Sequence, residues 1–206
     1  MKIEPFEEYY HYYDLWFEEH KDLYSLEIKA IKRILQNIKF SRGFEVGIGT
    51  GRFSLPFGIK YGIDPSIKML KIAKKKGLNV VRAIAEELPL KDNSLDLIMF
   101  VTTICFVDKP LKVFKEINRV LDKNGRLIVG FVDKDSELGR LYEKKRSNSK
   151  FYYIANFFTS DEVIEFAKES FFNVGRIYQT INPEGFDDVI EGYGIGSFVT
   201  MEFIKS

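Results

Sequence analysis

The chain has 206 residues, a length that fits one domain with a core large enough to fold without disulfides or a structural metal. Its composition of 45% hydrophobic and 30% charged residues is typical of globular proteins and excludes a disordered or fibrous chain. Lysine plus arginine total 31 against 30 acidic residues, so the formal net charge of +1 excludes a strong overall field for nucleic acid or anionic lipid.

Residue usage also bears on the compartment. Cys105 is the only cysteine, so we predict no disulfide, no metal and a reducing cytoplasm. Residues 1–10 lack the order of a secretory signal, and the longest nearly apolar stretch, residues 97–107, falls short of the roughly 20 residues that span a bilayer. We therefore expect a cytoplasmic protein without membrane contact. Gln36 and Gln179 are the only glutamines in a Lys/Glu-rich chain, which is typical of heat-adapted proteins.

Helices and strands are predicted to alternate over the first two thirds of the chain. Apolar residues from Leu23 to Ile38 recur at three-to-four spacing, which predicts an amphipathic helix. A strand at residues 44–48 runs into glycines, and a helix follows over residues 52–59, with Pro56 in its first turns. The further predicted elements are strands at residues 61–63, 79–82, 95–101 and 126–132 and helices at residues 65–76 and 111–121. This alternation favours a parallel α/β sheet.

The pattern changes in the last third of the chain. Residues 133–150 are mostly polar and lead into the aromatic residues 151–158, which are interpreted either as ordinary packing or as the wall of an apolar acceptor pocket. Thr159 and Glu162 match a capping box and predict a helix to about Ser170. Two strand-like segments follow at residues 174–180 and 197–204, joined by a loop with Pro183, Gly185, Gly192, Gly194 and Gly196. They suit an antiparallel pair at the end of the sheet.

The residues with the clearest chemical signal lie where the first two strands end. Residues 45–51 read Glu-Val-Gly-Ile-Gly-Thr-Gly, and such glycines let the backbone approach an anionic ligand. Arg52 stands where a dinucleotide-binding turn has its third glycine, so a nicotinamide cofactor is disfavoured. Asp64 ends the second strand, where a carboxylate can accept both hydroxyls of a ribose or can serve only as a helix N-cap. Together the two motifs indicate an adenosine-containing ligand.

Three groups of motifs, in order along the chain, carry a resemblance to a known family. They are residues 45–51, residues 85–90 (Ala-Glu-Glu-Leu-Pro-Leu) followed by 92–96, and residues 119–121 followed by 124–127. In these motifs the chain resembles the class I S-adenosylmethionine-dependent methyltransferases, within their small single-domain, type 11-like group. The resemblance spans about residues 44–131.

The resemblance implies a Rossmann-like, doubly wound seven-stranded α/β sheet, mostly parallel with an antiparallel C-terminal strand and with helices on both faces. We expect one methyltransferase domain over residues 1–206 in four parts. They are an N-terminal helical cap (1–40), a cofactor-binding core (41–132), an inserted lid or acceptor-side segment (133–160), and a C-terminal helix with an antiparallel hairpin (161–206).

The resemblance also implies a cofactor, S-adenosyl-L-methionine, with S-adenosyl-L-homocysteine as its product. The residues implied to bind it are Glu45, Gly47, Gly49, Thr50, Gly51, Asp64, Pro65, Ser66, Ala85, Glu86, Thr102 and Thr103. The first motif would hold the methionine moiety, Asp64 the ribose, and Ala85 with Glu86 the adenine edge. Ile84 departs from the family, because many members carry an aspartate there for the adenine amino group. Cys105 and Phe106 stand where a histidine pair is common.

The cofactor already carries an activated methyl group, so the protein mainly has to align an acceptor and exclude water. A general base is needed only for some acceptors, and the weak candidates are His11, Tyr13 and Asp108. The aromatic residues 9–17 fit an amphipathic helix with His11 in water, or a lid that places Tyr13 and Trp16 on the cofactor. Asp108 fits equally a cap on the helix that begins near Pro110.

We expect methyl transfer to a small organic acceptor, because a neutral chain with aromatic walls suits it better than RNA. Two alternatives stay open. One is a methyltransferase of wobble nucleosides in tRNA, and the other is a regulatory protein that binds the cofactor or its product without transferring a methyl group.

Overall fold

The computed structural model describes residues 3–181 and 188–206. Its strands, which are rich in apolar residues, form one mixed β-sheet. Within these ranges the strands are β1 (Gly43–Val46), β2 (Tyr61–Asp64), β3 (Asn79–Arg82), β4 (Leu95–Val101), β5 (Leu121–Val132), β6 (Phe172–Ile181), β7 (Asp188–Glu191) and β8 (Phe198–Lys205). The α-helices are α1 (Glu4–Glu8), α2 (Tyr10–Glu19), α3 (Lys21–Leu35), α4 (Ile67–Lys75), α5 (Pro110–Val120), α6 (Glu137–Lys144) and α7 (Ser160–Glu169). Across the described ranges every helix is too short or too polar to span a bilayer.

The sheet order is β3-β2-β1-β4-β5-β8-β6-β7. Strands β1 to β5 pair in parallel, whereas β8 pairs antiparallel with both β5 and β6. The predicted α/β class, mostly parallel with an antiparallel C-terminal end, is therefore confirmed. The predicted antiparallel pair of C-terminal segments is present as β6 and β8.

The sheet has eight strands in the described residues rather than seven. The additional strand β7 pairs antiparallel with β6, with Ile190 opposite Gln179 and Val189 opposite Thr180. Val189 is buried in the cluster that packs against α3, which gives this short edge strand a reason to form. Pro183 and Gly185, part of the predicted loop, lie outside the described residues.

The core lies on both faces of the sheet, and β4 at its centre is buried on each side. Ile98 and Phe100 point to the face covered by α5, where they pack with Phe114. Leu97 and Met99, one position out of phase, point to the face covered by α3. The apolar run at residues 95–101 thus marks a strand covered by helices on both sides.

Three predicted local features are wrong. Residues 52–59 do not form an α-helix: they form turns and a short 3-10 helix at Leu55–Phe57, because Pro56 removes a backbone donor and Gly58 ends the turn at φ 70°. Asp64 is not the N-cap of α4, since the Ser66 side chain fills that role by accepting a hydrogen bond from the Met69 amide. The N-cap of α5 is Lys109 rather than Asp108. The predicted capping box of α7 is present.

Candidate functional site

A narrow cleft lies at the carboxyl ends of β1, β2 and β4, the place where open α/β sheets bind their ligands. Seven residues that the sequence assigned to cofactor binding meet there. They are Gly47, Gly49, Asp64, Pro65, Ser66, Thr102 and Thr103. The motifs quoted from distant parts of the chain thus converge on one site.

The turn after β1 needs glycine for two reasons. Gly47 has φ 75°, a left-handed conformation that residues with a Cβ rarely adopt. A Cβ on Gly47 would also lie 2.3 Å from the side chain of Thr103. The main chain of this turn therefore lies directly against the end of β4, which leaves no room for a side chain between them.

Asp64 ties this turn to the end of β2. Its two carboxylate oxygens accept hydrogen bonds from the Gly49 amide at 3.0 Å and the Ser66 amide at 2.8 Å. Burial raises the pKa of Asp64 to about 6, although both hydrogen bonds oppose the shift. An ionised carboxylate offers about four lone-pair positions, so about two remain for hydroxyl groups of a ligand.

Glu45 is buried below the same turn and does not line the cleft. The Ser54 hydroxyl donates a hydrogen bond to its carboxylate. Burial raises the pKa of Glu45 to about 8, the hydrogen bond from Ser54 opposes this, and the charge of Asp64 adds to it. Glu45 is thus a buried acid next to the glycine turn and not part of the cleft surface.

Four more of the sequence-assigned residues lie outside the cleft lining. The Thr50 hydroxyl donates to Asp14 at 2.7 Å, Gly51 packs on Leu78, and Ala85 is buried in the core. Glu86 accepts a hydrogen bond from the Asp108 amide at 3.1 Å, while its second carboxylate oxygen is buried with no hydrogen-bond partner in the described part of the chain.

The end of β4 carries local backbone strain. Thr102 has φ 50°, which is uncommon for a residue other than glycine, and its amide donates to the Gly130 carbonyl at 2.7 Å. The neighbouring Thr103 hydroxyl donates to the Val101 carbonyl at 2.9 Å. Strain of this kind often occurs at ligand sites. Thr102 lines this cleft and also a larger cavity beside it, which is described below.

Helices α1 and α2 lie across the cleft. Phe6 packs its ring on Phe106 with ring centroids 4.8 Å apart and on Tyr13 at 5.8 Å, and its carbonyl accepts a hydrogen bond from the Ser66 hydroxyl at 3.3 Å. The cleft below them measures about 30 Å³, room for about one water molecule. A nucleoside-sized ligand can therefore enter only when this N-terminal segment moves.

An ion-pair cluster fastens α2 to the glycine turn. Asp14 accepts hydrogen bonds from Arg52 Nε at 2.8 Å, Lys76 Nζ at 2.9 Å and the Thr50 hydroxyl. Burial raises the pKa of Asp14, but these three hydrogen bonds outweigh it and lower the pKa to about 2. Glu18, one turn later and half-exposed, also binds Arg52 at 2.6 Å. We call Asp14, Glu18, Arg52 and Lys76 the α2 latch.

Weakening the α2 latch should speed ligand exchange. In Asp14→Asn the shape is kept but the charge is lost, so we expect S-adenosylhomocysteine to associate and dissociate about tenfold faster, with a smaller change in affinity. Stopped-flow recording of the fluorescence of Trp16, the only tryptophan, measures both rates. Glu18→Gln removes only the half-exposed ion pair of the latch and should change the rates less than about twofold, because an exposed ion pair contributes little. Equal rates in both variants and the wild type would contradict the role of the latch.

A larger cavity of about 420 Å³ opens beside the cleft. The two spaces share Phe6, Tyr13, Thr102 and Phe106 in their linings. Most of its wall is aromatic: Phe6, Tyr12, Tyr13, Trp16, Phe17, Phe106, Phe131, Tyr142, Phe151, Tyr152, Phe157 and Phe158. We call this space the aromatic cavity. It has the size and apolar character of a site for a small organic molecule.

The three sequence candidates for a general base are placed differently. Tyr13 lines both the cleft and the aromatic cavity, and burial strongly raises the pKa of its hydroxyl, so it stays protonated near neutral pH. His11 and Asp108 are exposed and line neither space. Cys105 lines the aromatic cavity, and burial raises the pKa of its thiol to about 12, which disfavours a nucleophilic role.

Sequence reasoning missed two acidic residues of the site. Asp14 was seen only as part of an aromatic segment, and no local pattern identifies its partners Arg52 and Lys76. Glu27 lines the aromatic cavity from α3, one turn from the buried Ile31 on the same side of the helix. A charged residue inside the apolar stripe of an amphipathic helix was the available signal.

Similarity to known proteins decides the family. A family model described as "Methyltransferase domain" matches residues 44–129. An uncharacterized protein of Methanocaldococcus jannaschii is 45% identical over 205 residues, which cover 97% of this chain and 98% of the relative. A crystal structure from Thermotoga maritima, named "SAM-dependent methyltransferase, possible histamine N-methyltransferase", superposes with a TM-score of 0.94 at 42% identity and covers 100% of both chains. The chain belongs to the class I S-adenosylmethionine-dependent methyltransferase family.

The expected family is thereby confirmed, and S-adenosyl-L-methionine is the cofactor of its members. The ubiquinone/menaquinone biosynthesis C-methyltransferase of Campylobacter jejuni is 44% identical over a shorter match of 70 residues. These residues cover 33% of this chain and 30% of that enzyme. The relative from the thermophile Thermotoga agrees with the heat adaptation that the scarcity of glutamine predicts.

The residues of this methyltransferase fit such a cofactor. Asp64 has lone pairs left for ribose hydroxyls, and the glycine turn leaves bare backbone along the cleft. Pro65 also lines an adjoining open hollow of about 420 Å³, together with Arg82, Ala83 and Ile84. Ile84 is 41% exposed there and gives the hollow an apolar surface at the position where many family members carry an aspartate.

Proposed function

We propose that this chain transfers the methyl group of S-adenosylmethionine to a small organic acceptor bound in the aromatic cavity. The observation that carries the proposal is the shared lining of the two spaces. Phe6, Tyr13, Thr102 and Phe106 bound both the cleft and the cavity, so a ligand in one space lies directly against a ligand in the other. Such adjacency is what in-line transfer between two bound molecules requires.

The proposed ligand contacts follow the positions of the side chains. Asp64 would accept the ribose hydroxyls, the Gly47 to Gly49 backbone and Thr103 would border the methionine moiety, and Pro65 with Ile84 would lie against the adenine. The bound cofactor supplies a methyl group on a positively charged sulfur. The protein then has to hold the acceptor, keep water out and receive any proton that the acceptor loses.

Closure over the two ligands is proposed as the task of helices α1 and α2. Phe6 and Tyr13 line the cleft, and the α2 latch fixes the helix that carries Tyr13 to Arg52 and Lys76. Because the same rings form part of the aromatic cavity, closing over the cofactor also completes the acceptor site. This order of events excludes water at the time of transfer.

A cavity lined mostly by rings supports a small acceptor over tRNA, which would need an open basic surface. A cavity of about 420 Å³ next to the cofactor cleft also supports transfer over mere retention of the cofactor. The relative named as a possible histamine N-methyltransferase and the quinone C-methyltransferase both suggest small acceptors.

Two measurements test the proposal. Calorimetry with S-adenosylhomocysteine should show one site per chain, and incubation with methyl-labelled S-adenosylmethionine and a panel of one-ring amines, phenols and quinols should label at least one small acceptor. The absence of heat with the cofactor product would refute the cofactor site. Labelling of tRNA, but of no small molecule, would favour the second methyltransferase function instead.

A further inference from the structure

Glu27 is the acidic residue that faces the interior of the aromatic cavity. It lies in the middle of α3 and lines the cavity, whereas Glu19, the other acidic residue of the lining, is exposed at the end of α2. Among residues 3–181 and 188–206 the Glu27 carboxylate has no hydrogen-bond or ion-pair partner, and burial alone causes its pKa shift. Glu27 is partly buried, and a carboxylate that is largely withdrawn from water is normally paired, so its free oxygens in a cavity point to a ligand group.

The surroundings of Glu27 are aromatic and low in polarity. Burial raises the pKa of Glu27 to about 8. Burial also raises the pKa of Tyr13, Tyr142 and Tyr152, and the charge of Glu27 adds to each of these three shifts. The carboxylate is therefore close enough to act on rings from α2, α6 and the turn Tyr152–Ile154 together.

Neither of the two protein cations beside the cavity pairs with Glu27, although Lys150 is itself an exposed residue of the lining. The Lys150 ammonium lies 3.7 Å from the centre of the Tyr12 ring and 5.4 Å from that of Tyr9. Arg52 is held by Asp14 and Glu18 in the α2 latch. A positive ligand would thus find a carboxylate that no described lysine or arginine neutralises, among rings whose faces also attract cations.

From this placement we infer that the methyl acceptor is a small amine with an apolar body, whose ammonium group pairs with Glu27 and loses a proton to it. The inference rests on the proposed function and adds the class of acceptor. An alcohol or quinol would leave the carboxylate without a counter-ion, and an acid would be repelled by it. The rings would enclose the apolar body, as they do in known sites for organic cations.

The proton count balances with Glu27 as the acceptor of the proton. An ammonium group has no lone pair, so one N–H bond must break first, and its proton passes to the Glu27 carboxylate. The neutral nitrogen then forms its bond to the methyl carbon while the sulfur–carbon bond breaks and its electron pair stays on sulfur. The product is a methylated ammonium and a neutral thioether, and Glu27 finally releases its proton to water.

Binding can be followed without turnover because Trp16, the only tryptophan, lines the cavity. We would titrate the protein, saturated with S-adenosylhomocysteine, with benzylamine and 2-phenylethylamine, and with the alcohol and carboxylate of matching shape. At about pH 8 to 9 each amine should bind about tenfold or more tightly than its alcohol, as expected for a charged hydrogen-bonded pair. The carboxylates should not bind.

Glu27→Gln keeps the shape of the side chain and removes its charge. It should lower amine affinity about tenfold or more and change alcohol affinity less than about twofold. Glu19→Gln is the matched control, since it removes an exposed carboxylate at the rim of the same cavity and should leave both affinities unchanged.

The pH dependence gives a second signature. Amine affinity should rise with pH through about 8, where Glu27 ionises, and the rise should be absent in Glu27→Gln. The other titratable residues facing the cavity are Tyr12, Tyr13, Glu19, Cys105, Tyr142, Lys150 and Tyr152. Burial raises the pKa of Tyr13, Cys105, Tyr142 and Tyr152 further above their ordinary values, so these groups do not titrate near pH 8.

Two results would overturn the inference. One is that no amine of the panel binds more tightly than its alcohol, and the other is that Glu27→Gln binds amines as the wild type does. Calorimetry with S-adenosylhomocysteine on the same preparations separates this failure from failure of the proposed function. If the cofactor product binds and the amines are not preferred, only the amine class is wrong.

Discussion

Asp64→Ala is expected to lower the affinity for S-adenosylhomocysteine by about 100-fold or more. Two hydrogen bonds between a carboxylate and the ribose hydroxyls would be lost, each contributing about 1.5 to 3 kcal/mol. Titration calorimetry measures the change directly. The wild-type affinity should also fall as the pH is lowered through about 6, the pKa of Asp64, because protonation removes an acceptor of ligand hydrogen bonds.

Asp96→Ala is a matched control for this substitution. Asp96 also accepts backbone hydrogen bonds, from the Ser41 and Arg42 amides at 2.9 Å each, but it lies at the start of β4 and away from the cleft. Its removal should leave cofactor affinity within about twofold of the wild type. Comparable loss of binding in both variants would mean that Asp64 acts by holding the fold and not by contacting the ligand.

The two variants should rank in the opposite order in thermal stability, with Asp96→Ala the less stable. Burial raises the pKa of Asp96, but hydrogen bonds from Ser41 and Arg42 and the charge of Arg42 outweigh it, so the pKa is lowered and the ionised form stabilises the fold above it. In Asp64 burial dominates and the pKa is raised, so the ionised form is held at a penalty. Asp96→Ala should therefore lower Tm more than Asp64→Ala does at neutral pH.

The fold class could be predicted from the sequence because its signals are local. The apolar run at residues 95–101, the stripe on α5 and the Thr159–Glu162 capping box each depend on neighbours in the chain, and each is present in the structure. The strand β7 was not predicted, since four residues in a glycine-rich stretch give a weak pattern. Its burial against the α3 side depends on distant residues.

Only part of the candidate site could be predicted, because some of its contacts join residues that are far apart in the sequence. The glycine turn and Asp64 follow from their positions at strand ends, and they do meet in one cleft. The α2 latch joins Asp14 to Arg52 and Lys76 across long separations, which no spacing encodes. The binding roles of the sequence-assigned residues stay predictions until the variants above are measured.

Tyr13 links the two halves of the site. Its ring borders the glycine turn on one side and the aromatic cavity on the other, and α2 carries both Tyr13 and Asp14 of the latch. Movement of α2 would therefore open both spaces together. Binding of the cofactor should accordingly favour binding of the acceptor, a coupling that has to be reciprocal.

Glu27→Gln should raise the stability of the ligand-free protein at alkaline pH while it weakens amine binding. The pKa of Glu27 is raised from 4.5 to about 8 in the fold, so its contribution to stability is fully present below about 4.5 and is lost as the pH rises through 8. Above that pH the wild type holds an ionised carboxylate among rings, and glutamine avoids this penalty. We expect Tm of the variant to exceed that of the wild type by about 5 °C at about pH 9.

The pH at which this difference appears identifies its cause. Near pH 5 the wild-type carboxyl is protonated and resembles glutamine, so the two Tm values should coincide within about 1 °C. Glu19→Gln should follow the wild type at both pH values, because an exposed carboxylate keeps its hydration when ionised. A Tm gain in Glu27→Gln that is equal at both pH values would mean that packing, not charge, produces it. A Tm loss at pH 9 would mean that the Glu27 carboxylate stabilises the fold, and its role as a site for a ligand cation would fall with that result.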